Sequence, residues 1–252
     1  MAALSLALAE PLPDEFEYAQ RKSYVSYTLS YLQPAVPNPT ITFLENRSII
    51  GGFGTTGLRT WEAALHMGQF LCQNPDLVAK RRVLELGAGT GYLSILCAKY
   101  LQSAHVIATD GSEDVVAALP ENFFLNGLQD SSSLQPMELK WGHALLGTED
   151  AKWNGGRPLD VVIGADITYD QSVLPWLVST LEELFDLYPA VEVYISATRR
   201  SQATLDKFVS SCEIRKISPR NLDYPLIPKS EQQGPFYPDE VDILIYKITK
   251  TT

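Results

Sequence analysis

The sequence predicts a doubly wound α/β domain, in which a mostly parallel seven-stranded sheet lies between two layers of helices. From residue 82 onward, strand-like and helix-like segments alternate along the chain, which is the order that builds a parallel sheet. Some predicted strands, such as residues 161–165, are entirely apolar and therefore suit burial on both faces. A glycine-rich turn also separates the first of these strands from the helix after it, as in ligand-binding α/β folds.

The predicted elements follow one another in a regular order. Residues 1–50, with a strand-like stretch at 41–50, are predicted to be a short N-terminal extension, and residues 51–252 the main domain. A glycine-rich loop at 51–57 precedes a helix predicted from Leu58 to Cys72. The strands of the main domain are predicted at 82–86, 104–110, 137–141, 159–166, 191–198, 213–218 and 241–249, and the helices between them at 92–101, 112–127, 173–187 and 202–210.

The last two strands are predicted to pair with each other in an antiparallel manner. The long polar segment between them, residues 219–238, carries no helix pattern. A parallel connection needs a crossover, which is usually a helix. The sheet is therefore expected to end in an antiparallel C-terminal strand.

Composition and charge limit the classes of function. The chain of 252 residues carries a net charge of -10, so its surface should repel nucleic acid, and a protein or small-molecule substrate is favoured. No apolar stretch is long enough for a membrane span, and the first ten residues lack the basic segment of a secretory signal. We therefore predict a soluble, cytoplasmic protein without a membrane or nucleic-acid partner, and a monomer.

Two further groups of residues are interpreted as structural. Cys72, Cys97 and Cys212 lie far apart and form no CxxC or Cys/His pattern, so we predict buried thiols and no metal site. Arg199 and Arg200 form a basic pair beside a predicted strand end. We interpret this pair as a solvated edge of the sheet rather than as a binding site for an acidic partner.

The strongest local signal is ELGAGTG at residues 85–91, directly after the first strand of the main domain. Glycines at Gly87, Gly89 and Gly91 allow a sharp turn and a close approach of a cofactor, and the next helix offers free N–H groups. The spacing differs from the GxGxxG of dinucleotide enzymes, which argues against a nicotinamide-dependent reductase. A plain tight turn remains the alternative to a cofactor site.

The next two strands are each followed by a candidate cofactor contact. Asp110, followed by Gly111, ends the second strand and lies nineteen residues after Gly91. At this sequence spacing a carboxylate can accept hydrogen bonds from the hydroxyl groups of a ribose. Asp110 can also cap the helix that begins near Ser112. Trp141 follows the third strand, where an aromatic ring can stack on an adenine, and a core tryptophan is an equal alternative.

The fourth strand of the main domain brings an acid and a phenol to the carboxyl edge of the sheet. It ends in ADITYD, residues 165–170. Asp166 and Tyr169 are three residues apart, so one turn of chain can direct both side chains toward a reacting group at that edge. We predict these two residues to be catalytic; the alternative for Asp166 is a cap on the following helix.

Together, these motifs resemble the seven-β-strand protein-lysine methyltransferases of methyltransferase family 16. The segment GTTGLRTWEAA at 54–64, followed in order by ELGAGTG and ADITYD, is most similar to the members that methylate translation elongation factor 2. The resemblance implies a Rossmann-like class I methyltransferase fold. It also implies S-adenosyl-L-methionine as the methyl donor and a lysine of elongation factor 2 as the acceptor.

The resemblance further implies a role for each matching residue. Glu85 would lie near the amino group of the donor, Asp110 at its ribose, and Trp141 and Ala165 around its adenine and sulfonium. Asp166 and Tyr169 match the DxxY element that places the substrate lysine in that family. The full set of implied cofactor contacts is Trp61, Glu85, Gly87, Ala88, Gly89, Gly91, Asp110, Gly111, Trp141 and Ala165.

The chemistry of lysine methylation sets one requirement on such a site. The lysine side chain has an ordinary pKa near 10.4, so converting it to the neutral amine at pH 7 costs about 4.6 kcal/mol. We expect desolvation and the positive sulfonium to offset this cost, while Asp166, which alone would raise the pKa of lysine, orients the amine. The alternatives are a methyltransferase of the same fold acting on another protein, a small molecule or RNA, and a non-catalytic cofactor-binding adaptor.

Overall fold

The computed structural model describes residues 22–32, 34–46, 56–143, 145, 154 and 157–251. The first element is a hairpin of β1 (Ser23–Thr28) and β2 (Thr40–Glu45), which pair antiparallel. The strands of the main sheet are β3 (Arg82–Leu86), β4 (His105–Asp110), β5 (Leu134–Glu138), β6 (Val161–Ala165), β7 (Glu192–Thr198), β8 (Ile217–Asn221) and β9 (Ile243–Lys250). The α-helices are α1 (Glu62–Gln73), α2 (Tyr92–Lys99), α3 (Glu113–Leu125), α4 (Leu174–Leu187) and α5 (Gln202–Ile214).

The main sheet has the order β5-β4-β3-β6-β7-β9-β8. Strands β3 to β7 pair in parallel, and β9 runs antiparallel to both β7 and β8. Helices α1 to α3 pack with one apolar cluster and α4 and α5 with another, so both faces of the sheet are covered. The predicted doubly wound α/β fold with an antiparallel C-terminal strand is confirmed.

Two predicted strands lie elsewhere in the chain than expected. The third strand covers Leu134–Glu138 rather than 137–141; only Leu134 is fully buried, so this edge strand lacks the apolar alternation that would have located it. The segment 213–218 was expected to be a strand, but α5 continues to Ile214. Leu205, Phe208 and Cys212 are buried at helical spacing and extend the helix.

The hairpin packs against the helices of the main domain. Phe43 of β2 is fully buried, and its ring centroid lies 6.1 Å from that of Tyr92 in α2. From α3, the side-chain carbonyl of Asn122 accepts the Leu44 N–H at 3.0 Å. The hairpin thus contributes its apolar face to the same core. The predicted boundary at residue 50 and most of the glycine-rich loop lie outside the described residues.

The length and hydropathy of the helices show whether any of them could span a membrane. Within the described ranges, no helix is both long enough and apolar enough to cross a bilayer.

Replacement of Phe43 by Ala tests the attachment of the hairpin. Because Phe43 is fully buried, we expect Phe43→Ala to lower the free energy of unfolding by about 3 to 5 kcal/mol in urea titrations. The matched control is Phe124→Ala on α3, where the side chain is 64% exposed and the change should stay below about 0.5 kcal/mol. Equal losses in the two variants would contradict the packing described here.

Candidate active site

A cavity of about 1070 Å³ opens at the carboxyl ends of the parallel strands. Its lining combines the turn after β3 with residues that follow β4, β6 and β7, and with the segment before α1. The order of strands reverses between β3 and β6. The cavity therefore occupies the switch point at which open α/β sheets bind their ligands.

The glycine turn forms one wall of the cavity, but its three glycines differ in role. All three have positive φ angles, 66° at Gly87, 54° at Gly89 and 86° at Gly91, but only Gly87 and Gly89 line the cavity, together with Ala88. A Cβ on Gly87 would lie 2.6 Å from the Ile167 side chain, so no larger residue fits. Gly91 does not line the cavity; a Cβ there would meet Leu119 of α3 at 2.9 Å. Gly91 therefore allows α2 and α3 to pack closely.

Asp110 connects the ends of β4 and β3 at the edge of the cavity. Its Oδ2 accepts the Gly89 N–H at 3.1 Å and its Oδ1 accepts the Ser112 N–H at 3.0 Å. With a further backbone hydrogen bond from Gly111, the carboxylate, which has about four acceptor sites, keeps part of its acceptor capacity for a ligand. Burial raises the pKa of Asp110, against the effect of these backbone hydrogen bonds. Gly111 lines the same part of the cavity.

Glu85 is a buried carboxyl in the floor of the cavity, 2% exposed. Its Oε2 accepts hydrogen bonds from both the backbone N–H, at 2.9 Å, and the hydroxyl of Ser94 in α2. Burial raises the pKa of Glu85 to about 8; the hydrogen bonds from Ser94 oppose this rise and the charge of Asp110 adds to it. A cationic ligand beside Glu85 would stabilise the ionised form of this carboxyl.

Two tryptophans contribute aromatic walls to the cavity. Trp141, which the sequence singled out, is half-buried and lines the cavity. Trp176 in the first turn of α4 is 56% exposed and packs against Gly142, which has a φ of 80°. A Cβ added to Gly142 would lie only 2.4 Å from the Trp176 ring. Trp176 could not be singled out from the sequence because a tryptophan at the start of an amphipathic helix carries no local signal of a site.

Asp166 lies at the end of β6 and is bound to the end of β7. It has a φ of 54°, a left-handed conformation that Asp tolerates better than most residues. Its carboxylate accepts the Thr198 N–H and the Thr198 hydroxyl, each at 3.0 Å. The alternative reading, a cap on α4, does not describe its contacts, since Asp170 instead accepts the hydrogen bonds of Ser172. Ala165 precedes Asp166 in the cavity wall.

Tyr169 and Trp61 meet at the rim of the cavity through Thr56. The Tyr169 hydroxyl lies 3.2 Å from the Thr56 hydroxyl, and Trp61 Nε1 donates to the Thr56 carbonyl at 2.9 Å. Tyr169 is 55% exposed. Its phenol therefore faces both the cavity and the solvent from which a substrate would arrive.

The interpretation of Arg199 and Arg200 as a solvated edge agrees with their exposure but is incomplete for Arg200, whose side chain is 42% exposed. Arg199 pairs with the exposed Asp242, as expected of an edge. Arg200 instead lines the cavity and donates from Nη2 to Asp166 Oδ2 at 3.0 Å. The sequence places Arg200 just after the carboxyl end of a predicted strand, but only the strand order shows that this strand lies next to β6.

A second arginine joins Arg200 around Trp61. The guanidinium carbons of Arg59 and Arg200 lie 4.2 Å and 5.0 Å from the centroid of the Trp61 ring. Glu62 binds both arginines, at 2.7 Å and 3.4 Å respectively. We call these residues, together with Asp166, the rim network. It fixes the position of each side chain at the mouth of the cavity.

The sequence analysis also missed a buried polar cluster behind the glycine turn. Glu45 at the end of β2 is fully buried and accepts the Thr60 N–H at 3.1 Å. The hydroxyls of Thr60 and Thr90 lie 2.7 Å apart, and both residues line the cavity. The cluster joins the hairpin to the cavity wall.

The described residues hold no group of three or more His, Cys, Asp or Glu side chains that could bind a metal ion. Of the three cysteines, Cys97 and Cys212 are buried, as predicted, and Cys72 is half-buried.

The architecture is a Rossmann-like α/β fold, and its cavity lies where such folds bind their ligands. Two solved structures share the fold: the ribosomal protein L11 methylase of Lactobacillus delbrueckii subsp. bulgaricus (TM-score 0.53, 16% identity, 84% of this chain and 95% of that one), and SMU.776, a putative methyltransferase complexed with SAH (TM-score 0.53, 13% identity, 84% and 53%).

Sequence comparison gives the family. The chain belongs to the lysine methyltransferase family, whose model matches residues 48–214. It is 57% identical over 250 residues to the protein-lysine N-methyltransferase EFM3 of Chaetomium thermophilum, covering 99% of this chain and 74% of that protein. It is 30% identical over 232 residues to the human protein-lysine N-methyltransferase EEF2KMT, covering 87% of this chain and 66% of that protein. The chain thus spans about two-thirds to three-quarters of the length of these two relatives.

The raised pKa of Glu85 predicts a pH dependence of stability. Its pKa is about 8 in the folded protein and near the ordinary 4.5 in the unfolded chain, so between these values the folded state binds more protons. The free energy of unfolding of the wild type should fall as pH rises from about 4.5 to 8, by at most about 1.4 kcal/mol per pH unit. Glu85→Gln lacks this decrease.

We therefore expect Glu85→Gln to gain stability relative to the wild type with each step from pH 5 to 8. Urea titrations of both proteins at pH 5, 6.5 and 8 measure the difference. A difference that stays constant over this range would show that Glu85 is already ionised in the folded protein.

Proposed function

We propose that this member of the family transfers methyl groups from S-adenosyl-L-methionine to a lysine of translation elongation factor 2. The observation that carries the proposal is the arrangement of one cavity, with Asp110 and Glu85 on the β3–β4 side and Asp166 and Tyr169 on the β6 side. A donor and an acceptor can meet between these two sides. The names of the two relatives support a protein lysine as acceptor, and that of the human relative favours elongation factor 2.

The residues on the β3–β4 side fit the proposed donor. Asp110 offers the remaining acceptor capacity of its carboxylate to the ribose hydroxyls. Glu85 is a buried acid that a donor ammonium would ionise and pair with. The Gly87–Gly89 turn brings the backbone to the cavity surface, and Trp141 supplies a wall for the adenine. Ala165 at the end of β6 and Trp61 on the rim would complete the donor site from the other side.

The cavity also has room for a lysine beside the donor. Its volume of about 1070 Å³ is at the upper end of the range of small-molecule sites, about 300 to 1,000 Å³. The rim at Tyr169 is open to solvent, so a lysine side chain can enter there while its backbone stays outside. The acidic surface, with a net charge of -10, favours a protein over RNA as the partner.

The role of the donor is to supply an electrophilic methyl group on a positively charged sulfur. Asp166 Oδ1 accepts one hydrogen bond, from the Thr198 N–H, and keeps acceptor capacity for the lysine amine. Tyr169 offers its ring face and hydroxyl to the same amine. Holding the amine in line with the methyl group is the main contribution of these residues, since alignment of reacting groups can lower a barrier by about 7 to 11 kcal/mol.

Several further features belong to the same proposal. The protein would act as a monomer in the cytoplasm, where elongation factor 2 works. Residues 1–50 would form an extension to a methyltransferase domain at 51–252. Gly91, by its packing against α3, would support the donor site without contacting the donor.

Labelling of purified elongation factor 2 tests the substrate. We expect the chain, with donor labelled on its methyl group, to label that protein on one lysine that mass spectrometry of tryptic peptides can identify. Elongation factor 2 that is trimethylated at that lysine, or that carries Arg in its place, is the control and should take up no label there. Label found only in RNA, or only in other proteins of a whole-cell extract, would reject the proposed substrate.

Substitution of Asp166 tests the acceptor side. We expect Asp166→Asn to reduce the single-turnover rate of methylation by about 100-fold, because the amine loses its fixed acceptor and its alignment. Donor affinity measured by calorimetry should stay within about twofold, since most of the proposed donor contacts lie on the β3–β4 side and Asn keeps the size and shape of the Asp166 side chain. Asp170→Asn, four residues on and outside the cavity lining, is the matched control and should keep the wild-type rate. Full turnover in Asp166→Asn would remove Asp166 from the mechanism.

A further inference from the structure

Arg200 places a positive charge on the carboxylate that, in the proposed function, receives the lysine. Its Nη2 donates to Asp166 Oδ2 at 3.0 Å, and the Thr198 hydroxyl donates to the same oxygen at 3.0 Å. Oδ2 therefore has both lone pairs engaged. The side chain of Asp166 is 6% exposed, so Arg200, rather than water, neutralises this carboxylate.

The position of Arg200 is fixed by more than one contact. Its guanidinium lies over Trp61, 5.0 Å from the ring centroid, and within 3.4 Å of Glu62. An exposed ion pair alone contributes little to stability. Here an aromatic face and two carboxylates hold the same guanidinium, and the plane of an arginine suits such a combined site.

We propose that Arg200 is a positioning residue that neutralises Asp166 and thereby lets the substrate lysine enter its reactive, uncharged form. The proposal rests on the proposed function. A lysine nitrogen bound to Asp166 Oδ1 would lie at most about 8 Å from Arg200 Nη2, which is the sum of two hydrogen bonds of about 3 Å and the roughly 2 Å between the carboxylate oxygens, and closer where the two bonds bend toward each other. A like charge at that separation favours loss of the lysine proton.

The charges around the lysine position support this assignment. The rim network contains two carboxylates, Asp166 and Glu62, and two guanidinium groups, Arg59 and Arg200. Its net charge is zero. Removing Arg200 would leave a net negative rim, which holds a lysine in its protonated, unreactive form. Across the cavity, Glu85, Asp110 and Lys140 are the other charged groups of the lining, and they are common to every Arg200 variant.

The chemical step accounts for each proton and electron pair. The protonated lysine gives one proton to water, and its nitrogen lone pair then forms a bond to the methyl carbon. The carbon–sulfur bond breaks with its electron pair remaining on sulfur. Arg200 takes part in neither bond change; it shifts the proton equilibrium that precedes them.

The pH profile of methylation tests the role of Arg200. We expect Arg200→Gln to shift the acid limb of the single-turnover profile, measured between pH 6 and 9.5 at saturating donor, to higher pH by about one unit. At pH 7 this shift corresponds to an approximately tenfold slower reaction. Arg200→Lys keeps the positive charge and should return the limb toward the wild-type position. Arg199→Gln, whose native partner Asp242 lies on the exposed edge, should leave the profile unchanged.

Controls separate this role from folding and from substrate docking. Donor affinity and thermal midpoint, measured for each variant, show whether the fold is intact, and Arg200→Lys provides the test if Arg200→Gln does not fold. A profile that keeps its wild-type limb in Arg200→Gln, with a change in KM alone, would overturn the proposal. So would a limb in Arg200→Lys that is shifted by a full unit although the charge is retained.

The assay also separates this proposal from the assignment of the substrate. Labelling is measured in an extract that contains all cellular proteins as well as in purified elongation factor 2. If another protein is labelled, the substrate assignment fails, and the pH profile on that protein still decides the role of Arg200. If no protein is labelled under any condition, both proposals are rejected.

Discussion

Strands β3 and β6 are neighbours in the sheet, yet the chain leaves them in opposite directions, and the geometry of the site depends on this divergence. From β3 the chain winds toward β4 and β5, and from β6 toward β7. The loops cannot cross the gap between the two strands, so a cavity remains at their carboxyl ends. Each half of the sheet supplies one wall: Glu85 and Asp110 come from one half, and Asp166 and Arg200 from the other.

Hydrogen bonds between strand ends hold each wall in place. On one side, Asp110 accepts the Gly89 N–H and so fixes the turn after β3 to the end of β4. On the other, Asp166 accepts from Thr198 and Arg200 and so fixes the end of β6 to that of β7. In both places, a carboxylate that faces the cavity also links two neighbouring strands. Loss of either acid would therefore disturb geometry as well as remove an acceptor.

The hairpin adds a third support, from behind the glycine turn. Asn122 of α3 accepts the Leu44 N–H of β2 and donates to the Thr90 carbonyl at 3.0 Å. Glu45 reaches the cavity wall through Thr60. An N-terminal segment that reads as an extension in the sequence thus bears on the position of residues that line the cavity.

Features that depend on local spacing could be predicted from the sequence, whereas features that depend on long-range contact could not. The glycine turn, Asp110 and the Asp166–Tyr169 pair each follow a buried strand with a clear pattern, and all of them reach the cavity. Arg200 and Trp176 have the same local patterns as exposed residues, and only the strand order and the packing of α4 bring them to the site. For Gly91 the local pattern predicts a cofactor contact that the structure does not show: its spacing matches the cofactor motif, but its contacts are with α3 and allow the helices to pack.

The carboxyl groups on the two sides of the cavity differ in how their negative charge is compensated, and this difference determines which charged form of each reactant is favoured in the proposed reaction. Glu85 is buried away from cations, and its pKa of about 8 keeps it largely protonated at pH 7 until a cationic ligand arrives. Asp166 already has its cation in Arg200. A positively charged donor is therefore favoured at Glu85, while a lysine at Asp166 finds a carboxylate that is already neutralised. The cavity would then bind a charged donor on one side and select an uncharged amine on the other, which are the two forms that methyl transfer requires.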